Sequence, residues 1–185
     1  MLRRLGEGGG LREIAKVALV ETALRGESVA KRNVATVLNV RSGHLRRSIT
    51  GFVRDTPDGP EAVIRAGGRL PDSPADVRYA RTHEYGATIV PTRGQYLRIP
   101  LPPALTGAGA DRFGGPLRVM APDMFSVFRS RAGGLYLRHK RTGALWYKLV
   151  RSVTIRPRPF LRPAAEDAAE RFPRYFAEAL TRATT

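Results

Sequence analysis

A histidine beside a carboxylate can share a proton or hold a metal, provided a third ligand stands at helical or hairpin spacing. His83 and Glu84 are the one adjacent histidine–carboxylate pair in the sequence. His44 and His139 are far away, and neither an HxxxH nor an HxH pattern occurs. We therefore expect neither metal nor acid–base chemistry. Glu84 is instead read as accepting a hydrogen bond or facing an arginine, with Tyr79 and Tyr85 packed on a sheet. The remaining Asp and Glu residues are scattered, with no pair placed as a glycosidase or nuclease couple. The glycine turns RAGG (131–134) and AGGR (66–69) lack the GxxxxGK[ST] of a phosphate loop. Ser42 and Ser48 lack a nucleophile elbow. The absence of cysteine excludes disulfides and thiolate metal sites. No enzyme signature and no cofactor motif emerge.

Charge gives a stronger signal. The 185 residues carry a net charge of +16, with 32 basic against 16 acidic groups, and Arg supplies most of the basic ones. Residues 111–160 hold 11 basic and 2 acidic residues. A basic face of this kind points to a polyanion or an acidic partner. Arg138, His139, Lys140 and Arg141 form the densest cluster, expected on a hairpin tip, where they either solubilise a turn or face DNA or an acidic neighbour. Tyr136, Trp146 and Tyr147 lie on the same stretch. They are of a type that stacks on bases, although such residues more often fill a half-buried sheet face.

The elements that must position these residues are readable in outline. Hydrophobic content of 42% suits a globular domain, and no apolar run approaches the ~20 residues that span a bilayer. No secretory signal is expected at MLRRLGEGGG. Leu11, Ile14, Val17, Ala18, Val20 and Leu24 recur at helical spacing, continued by Val29, Val34, Val37 and Leu38. Gly26 is expected to interrupt this run and Ser28 to cap a second segment. Ile49 and Phe52 mark a strand, joined by the turn TPDGP (56–60) to AVIRAG (62–67) as a hairpin. A helical segment at Tyr79–Tyr85 is expected to end at Gly86 in a left-handed cap. YLRIPLPP (96–103) reads as a strand stopped by prolines, and 123–150 as a basic β-meander.

The last stretch is the clearest. Val153 and Ile155 alternate with Thr154 and Arg156, and then Pro157 and Pro159 stop the strand. Phe160 and Leu161 are expected to pin a corner. Pro163 suits a first helical turn, with Glu166, Asp167 and Glu170 near the positive helix end. Ala165, Ala168, Ala169, Phe172, Tyr175, Phe176, Ala179, Leu180 and Ala183 form the expected apolar stripe, and Pro173 is expected to kink the helix or start a second one. We expect one domain over 1–185, with a helical segment at 10–40, a β-rich insert at 95–150 and a final helix at 163–183.

Three segments, in order, resemble the tail-completion or neck proteins of long-tailed bacteriophages. SGHLRRSI (42–49) is similar to that family's small-Gly-x-Leu-Arg-x-Ser-Ile step, carried here by Gly43 and Leu45. YARTHEYGA (79–87) is similar to its Tyr-Ala-x-x-x-Glu-Tyr/Phe-Gly motif, carried by Tyr79, Ala80, Glu84, Tyr85 and Gly86. RPRPFLRPAAEDA (156–168) is similar to its proline corner, carried by Arg158, Pro159, Phe160 and Pro163. Shorter members run almost directly from the second motif to the final strand, so the insert departs from their pattern.

The resemblance implies an α+β fold, a mixed or antiparallel central sheet packed by a long N-terminal helix and a C-terminal amphipathic helix, with the basic β-meander inserted. The same resemblance implies a non-enzymatic virion protein of the neck, assembled in the host cytoplasm. It would form a homo-oligomeric ring, taken as a hexamer, that helps join head to tail beside a connector or stopper and a tail terminator or tail tube. Contact with genomic DNA would be transient and sequence-blind, with Arg138, Lys140 and Arg141 as the DNA- or partner-facing loop and no membrane involved. The alternatives are a tail terminator, a stopper-type connector or a prohead-associated minor protein. In a different class, the alternative is a free basic nucleic-acid-binding domain.

Overall fold

In a computed structural model of the chain, the N-terminal helical pattern becomes one helix, α1 (Gly9–Val37). The structure describes residues 9–38, 43–70, 76–92, 94–107, 109–115, 117, 121 and 123–184. Ser42 and most of the 70–76 loop therefore lie outside the described residues. α1 runs through Gly26 and Ser28 without a break, which corrects the expected interruption. Packing explains the glycine. A Cβ on Gly26 would stand 2.0 Å from Ile64 Cδ1 and 3.3 Å from Ala168 Cβ. The position is glycine because two neighbouring elements close on it, and that contact outweighs the helical cost of about 1 kcal/mol.

The single stretch of 185 residues divides into two compact units, Met1–Gly86 with Arg156–Thr185, and Ala87–Ile155. In the first, α2 (His44–Arg47) follows α1, and β1 (Thr50–Thr56) pairs antiparallel with β2 (Gly59–Arg65) in the expected hairpin. The short strands β3 (Gly68–Arg69) and β4 (Asp76–Val77) pair next, and α3 (Ala80–Tyr85) follows them. The final helix α4 (Arg162–Thr184) lies along α1, and α1 also packs on the hairpin.

One core cluster joins Ala30, Val34, Leu45, Ile49, Leu70, Val77, Ala80, Phe160 and Ala164. A second joins Ile14, Ala18 and Ala179, with Phe172, Tyr175, Phe176 and Leu180 packed against it. The buried face of α4 is thus Ala164, Ala168 and Ala179 with the half-buried aromatics, whereas Ala165, Ala169 and Ala183 are exposed. The expected stripe began one residue late, because the run of alanines carries no contrast from which to read a phase. Pro173 sits inside α4 without dividing it. Pro173 and Ala169, whose carbonyl loses its partner, are both exposed, so water replaces the missing bond.

In the second unit, β5 (Ala87–Ile89) pairs antiparallel with β10 (Val153–Ile155). The meander forms a four-stranded antiparallel sheet. Its strands, in the order β6–β9–β8–β7, are β6 (Leu97–Pro100), β9 (Leu145–Val150), β8 (Leu135–His139) and β7 (Phe125–Arg129). The fold is α+β with antiparallel pairing throughout the described strands.

Candidate functional site

The proline corner is held from outside by one carboxylate. The backbone N–H groups of Phe160, Leu161 and Arg162 lie at the start of α4, where a helix leaves its first donors without internal partners. Phe160 N and Leu161 N donate to Glu84 Oε2 at 2.8 and 2.9 Å, and Arg162 N donates to Glu84 Oε1 at 2.8 Å. Pro163 has no N–H to offer. Glu84 is 5% exposed, so it does the work of an N-cap side chain from 76 residues upstream while its charge faces the positive end of the helix dipole. The partners expected for Glu84 were an arginine or an unspecified donor. They are three consecutive backbone amides.

Around that carboxylate the corner is tied at three further points. Arg158 N donates to the carbonyl of His83 at 2.7 Å, and Asn33 Nδ2 donates to the carbonyl of Phe160 at 3.1 Å. Arg158 Nη1 reaches the carbonyl of Val37 at 3.4 Å, while the Phe160 side chain is wholly buried. His83 Nδ1 is buried without a hydrogen-bond partner among the described residues. Burial first, and the charge of Arg158 second, hold the His83 imidazole below its usual value of 6.5. Among the described residues no group of three His, Asp or Glu side chains is placed to hold a metal.

The other motif residues fall on both sides of this joint. Gly43 takes a left-handed conformation (φ 70°, ψ 0°) at the start of α2, and Leu45 is buried. Ser48 is buried as well. Its Oγ donates to the carbonyl of Leu45 and accepts from Gly67 N at 3.0 Å. Gly86 ends α3 at φ 73°, ψ 164°, a glycine-only region but not the left-handed helical cap expected. Tyr79 and Tyr85 are 41% and 72% exposed, which corrects the expectation that both pack on a sheet. Their helix is only six residues long and turns Ala80 and Glu84 inward, leaving the tyrosines on its outer side. Pro159 and Pro163 are exposed.

The meander carries the second candidate. Arg138 lies on β8 rather than on the tip, Lys140 and Arg141 occupy the turn, and all three are exposed. His139 is buried: its ring stacks on Trp146 at 5.2 Å, and its Nδ1 accepts from Thr142 N at 3.2 Å. Tyr147 is wholly buried, and its hydroxyl donates to Asp111 Oδ1 at 2.7 Å. Burial, then Asp111, pushes the Tyr147 hydroxyl well above its ordinary value. Arg98 Nη2 donates to Asp111 Oδ2 at 2.8 Å, and its guanidinium lies 4.8 Å from the Tyr147 ring centre. Burial alone would raise Asp111. The donors Tyr147 and Phe113 N, together with Arg98, outweigh it and keep the carboxylate below its usual range.

Tyr147, wholly buried, and Trp146, half-buried, thus pack in a cluster with Phe113, Phe125 and His139, the use more common for such residues on a sheet face. Sequence reasoning missed Asn33, Arg98 and Asp111. Asn33 had a visible sign, an amide one residue from Val34, which the helical spacing had placed on the apolar face. Arg98 and Asp111 are 13 residues apart, one of them in a glycine-rich loop, and nothing local marks them as partners.

No family model, curated protein or solved structure matches this chain in comparisons of its sequence and fold.

Proposed function

We propose that this chain is a structural protein of the phage neck, a tail-completion or head–tail joining subunit that acts by shape and carries out no reaction. One observation carries the reading. The three ordered segments that resemble the neck family supply Leu45 and Ile49, then Ala80, then Phe160 and Ala164 to one core cluster. Glu84 of the second segment caps the helix that begins in the third. Residues that looked like three separate marks are parts of one joint, as expected if they were kept together for a rigid subunit face. In a homo-oligomeric ring, taken as a hexamer, contacts would run head to tail, and unpaired strand edges are ready-made joining surfaces. The exposed cations of the meander would face DNA in transit or an acidic neighbouring ring.

Virions of a phage that encodes the chain provide the test. The chain should travel with the tail or the joined neck when particles are disrupted and sedimented, and a deletion should leave heads and tails unjoined. Complete, infective particles without the chain would end the proposal. The second reading, a free nucleic-acid-binding domain, is favoured by the meander cations that meet no described carboxylate. It would be preferred if the chain were a soluble monomer, absent from particles, with a steep salt dependence of duplex binding.

A further inference from the structure

The pairing register sorts the meander's aromatic residues onto two faces of its sheet. Phe128 pairs directly with Tyr136, Tyr136 with Lys148, and Lys148 with Ile99, so these four side chains form one row across all four strands. Directly paired residues point to the same side of a sheet, and three interstrand steps make the row about 14 Å long. Ser126 pairs with Arg138 in the adjoining row. The Arg138 guanidinium lies 5.4 Å from the centre of the Phe128 ring. The Tyr136 ring leans over Gly134, where a Cβ would come within 2.8 Å of the ring. Ile99 is 37% exposed, Arg138 and Lys148 are exposed, and Phe128 and Tyr136 are half-buried, so this face is partly open to solvent. On the opposite face Asp111 and Phe113 cover Tyr147 and Phe125, while Val127 on the outer strand β7 is 68% exposed.

The charge on this stretch is unanswered. Residues 124–150 hold six basic residues (Arg129, Arg131, Arg138, Lys140, Arg141 and Lys148) and no acidic one. None of the six forms an ion pair with a described carboxylate, although Arg98 of the same unit does. A partly open sheet face with two neighbouring aromatic rings, one already bearing a guanidinium, and around them cations that meet no described carboxylate, matches a strand with exposed bases and a phosphate backbone. A duplex, whose bases are stacked away, has no use for the rings. An acidic protein needs the charge but not the aromatic row.

We propose that this face binds single-stranded nucleic acid. Tyr136 stacks on a base, Phe128 backs the Arg138 guanidinium, which stacks on a second base, and Lys148 contacts the phosphate backbone. The inference stands apart from the neck reading: its test uses the purified chain alone, and its failure would leave the sedimentation result untouched.

The full-length chain is titrated against a labelled oligo(dT) of ~15 nucleotides, within the range such sites cover, and against a duplex of equal length. The single strand should bind about tenfold or more tighter at the same salt. Phe128→Leu and Tyr136→Leu, which keep apolar bulk but lose the π face, should each weaken single-strand binding about tenfold and leave duplex binding unchanged. Tyr85→Leu, an exposed tyrosine of the other unit, should change neither. Arg138→Gln and Lys148→Gln alter exposed side chains, so they read the site even if an aromatic variant fails to fold. Each should weaken both probes and flatten the salt dependence. The proposal is overturned by equal affinity for duplex and single strand with unaffected aromatic variants, by competition from poly-glutamate at equal charge, or by no binding at low salt.

Discussion

Glu84 shows how much one buried carboxylate can organise. Three amide donors converge on its two oxygens, and the carboxylate itself is almost wholly buried. Glu84→Ala should therefore cost roughly 3–5 kcal/mol in a denaturant titration, since hydrogen bonds to charged groups and stranded buried donors are each worth about 1–3 kcal/mol. Glu84→Gln keeps one oxygen but turns an NH2 towards the same donors, so it should lose less, though clearly more than 1 kcal/mol. Its neighbour His83 makes a separate prediction. Its folded-state pKa is depressed, so the unfolded chain binds the proton more readily. The His83 contribution to stability is complete above about pH 6.5 and is lost as pH falls through its folded value. The melting temperature of the parent should drop between pH 7 and pH 5 by more than that of His83→Gln. That window lies above the range where the depressed carboxylates titrate. Of this constellation the sequence disclosed that Glu84 is structural and that Phe160 is a pin. It did not disclose that they touch, because a contact across 76 residues leaves no local periodicity.

At the scale of elements, two glycines set how closely α1 lies against the β1–β2 hairpin, and they differ in what they meet. A Cβ at Gly51 would stand 2.2 Å from the carbonyl oxygen of Ala23, a backbone atom that cannot step aside. At Gly26 the nearest obstacle is the flexible end of Ile64. Gly51→Ala should therefore cost about 1–3 kcal/mol or more as overpacking. Gly26→Ala should cost less, because Ile64 has another rotamer and the helix gains about 1 kcal/mol from alanine. Equal melting temperatures for the two variants would show that the helix–hairpin spacing is not fixed here. Gly51 also donates its N–H to Glu27 Oε2 at 2.7 Å. Burial acts to raise Glu27, yet this bond and the nearby Lys31 hold it below its usual range. Helix, hairpin and meander were legible in the sequence because their periods are long and their turns carry glycine. The glycine in α1 was read as a break because a packing glycine and a terminating glycine look alike until the neighbour is known.

At the scale of the molecule, charge is handled differently in different stretches. In the first unit Arg25 grips Asp167 through two bonds of 2.7 and 3.1 Å, Arg182 meets Glu21, and Arg12 and Lys16 share Asp55. Those cations are engaged in tying α1 to α4 and to the hairpin, whereas none of the six of residues 124–150 meets a described carboxylate. Phe160 belongs to this scale because its cluster draws on α1, α2, β4, α3 and α4 at once. Phe160→Ala should cost roughly 3–5 kcal/mol, and a melting shift of only a degree or two would deny it that role. Composition disclosed the basic excess. Which cations are paired depends on where distant carboxylates arrive, and that is a property of the fold alone.

The discontinuity of the first unit has a consequence for synthesis. Chains emerge from the ribosome N-terminus first, and domains generally fold as units as they appear. Here the segment up to Gly86 must wait while residues 87–155 are made, because Phe160 and Ala164 fill its core and α4 covers α1. The meander, whose hairpins are local, can close first. A chain that stops short of the corner keeps Ala30, Val34, Leu45 and Ile49 uncovered and leaves Glu84 facing an empty corner. Such a product is expected to expose apolar surface, and faster proteolysis of a chain ending at residue 155 than of the full-length chain would show it. The proline corner thereby acts as a check on length: only a chain translated through it acquires the finished face of its first unit.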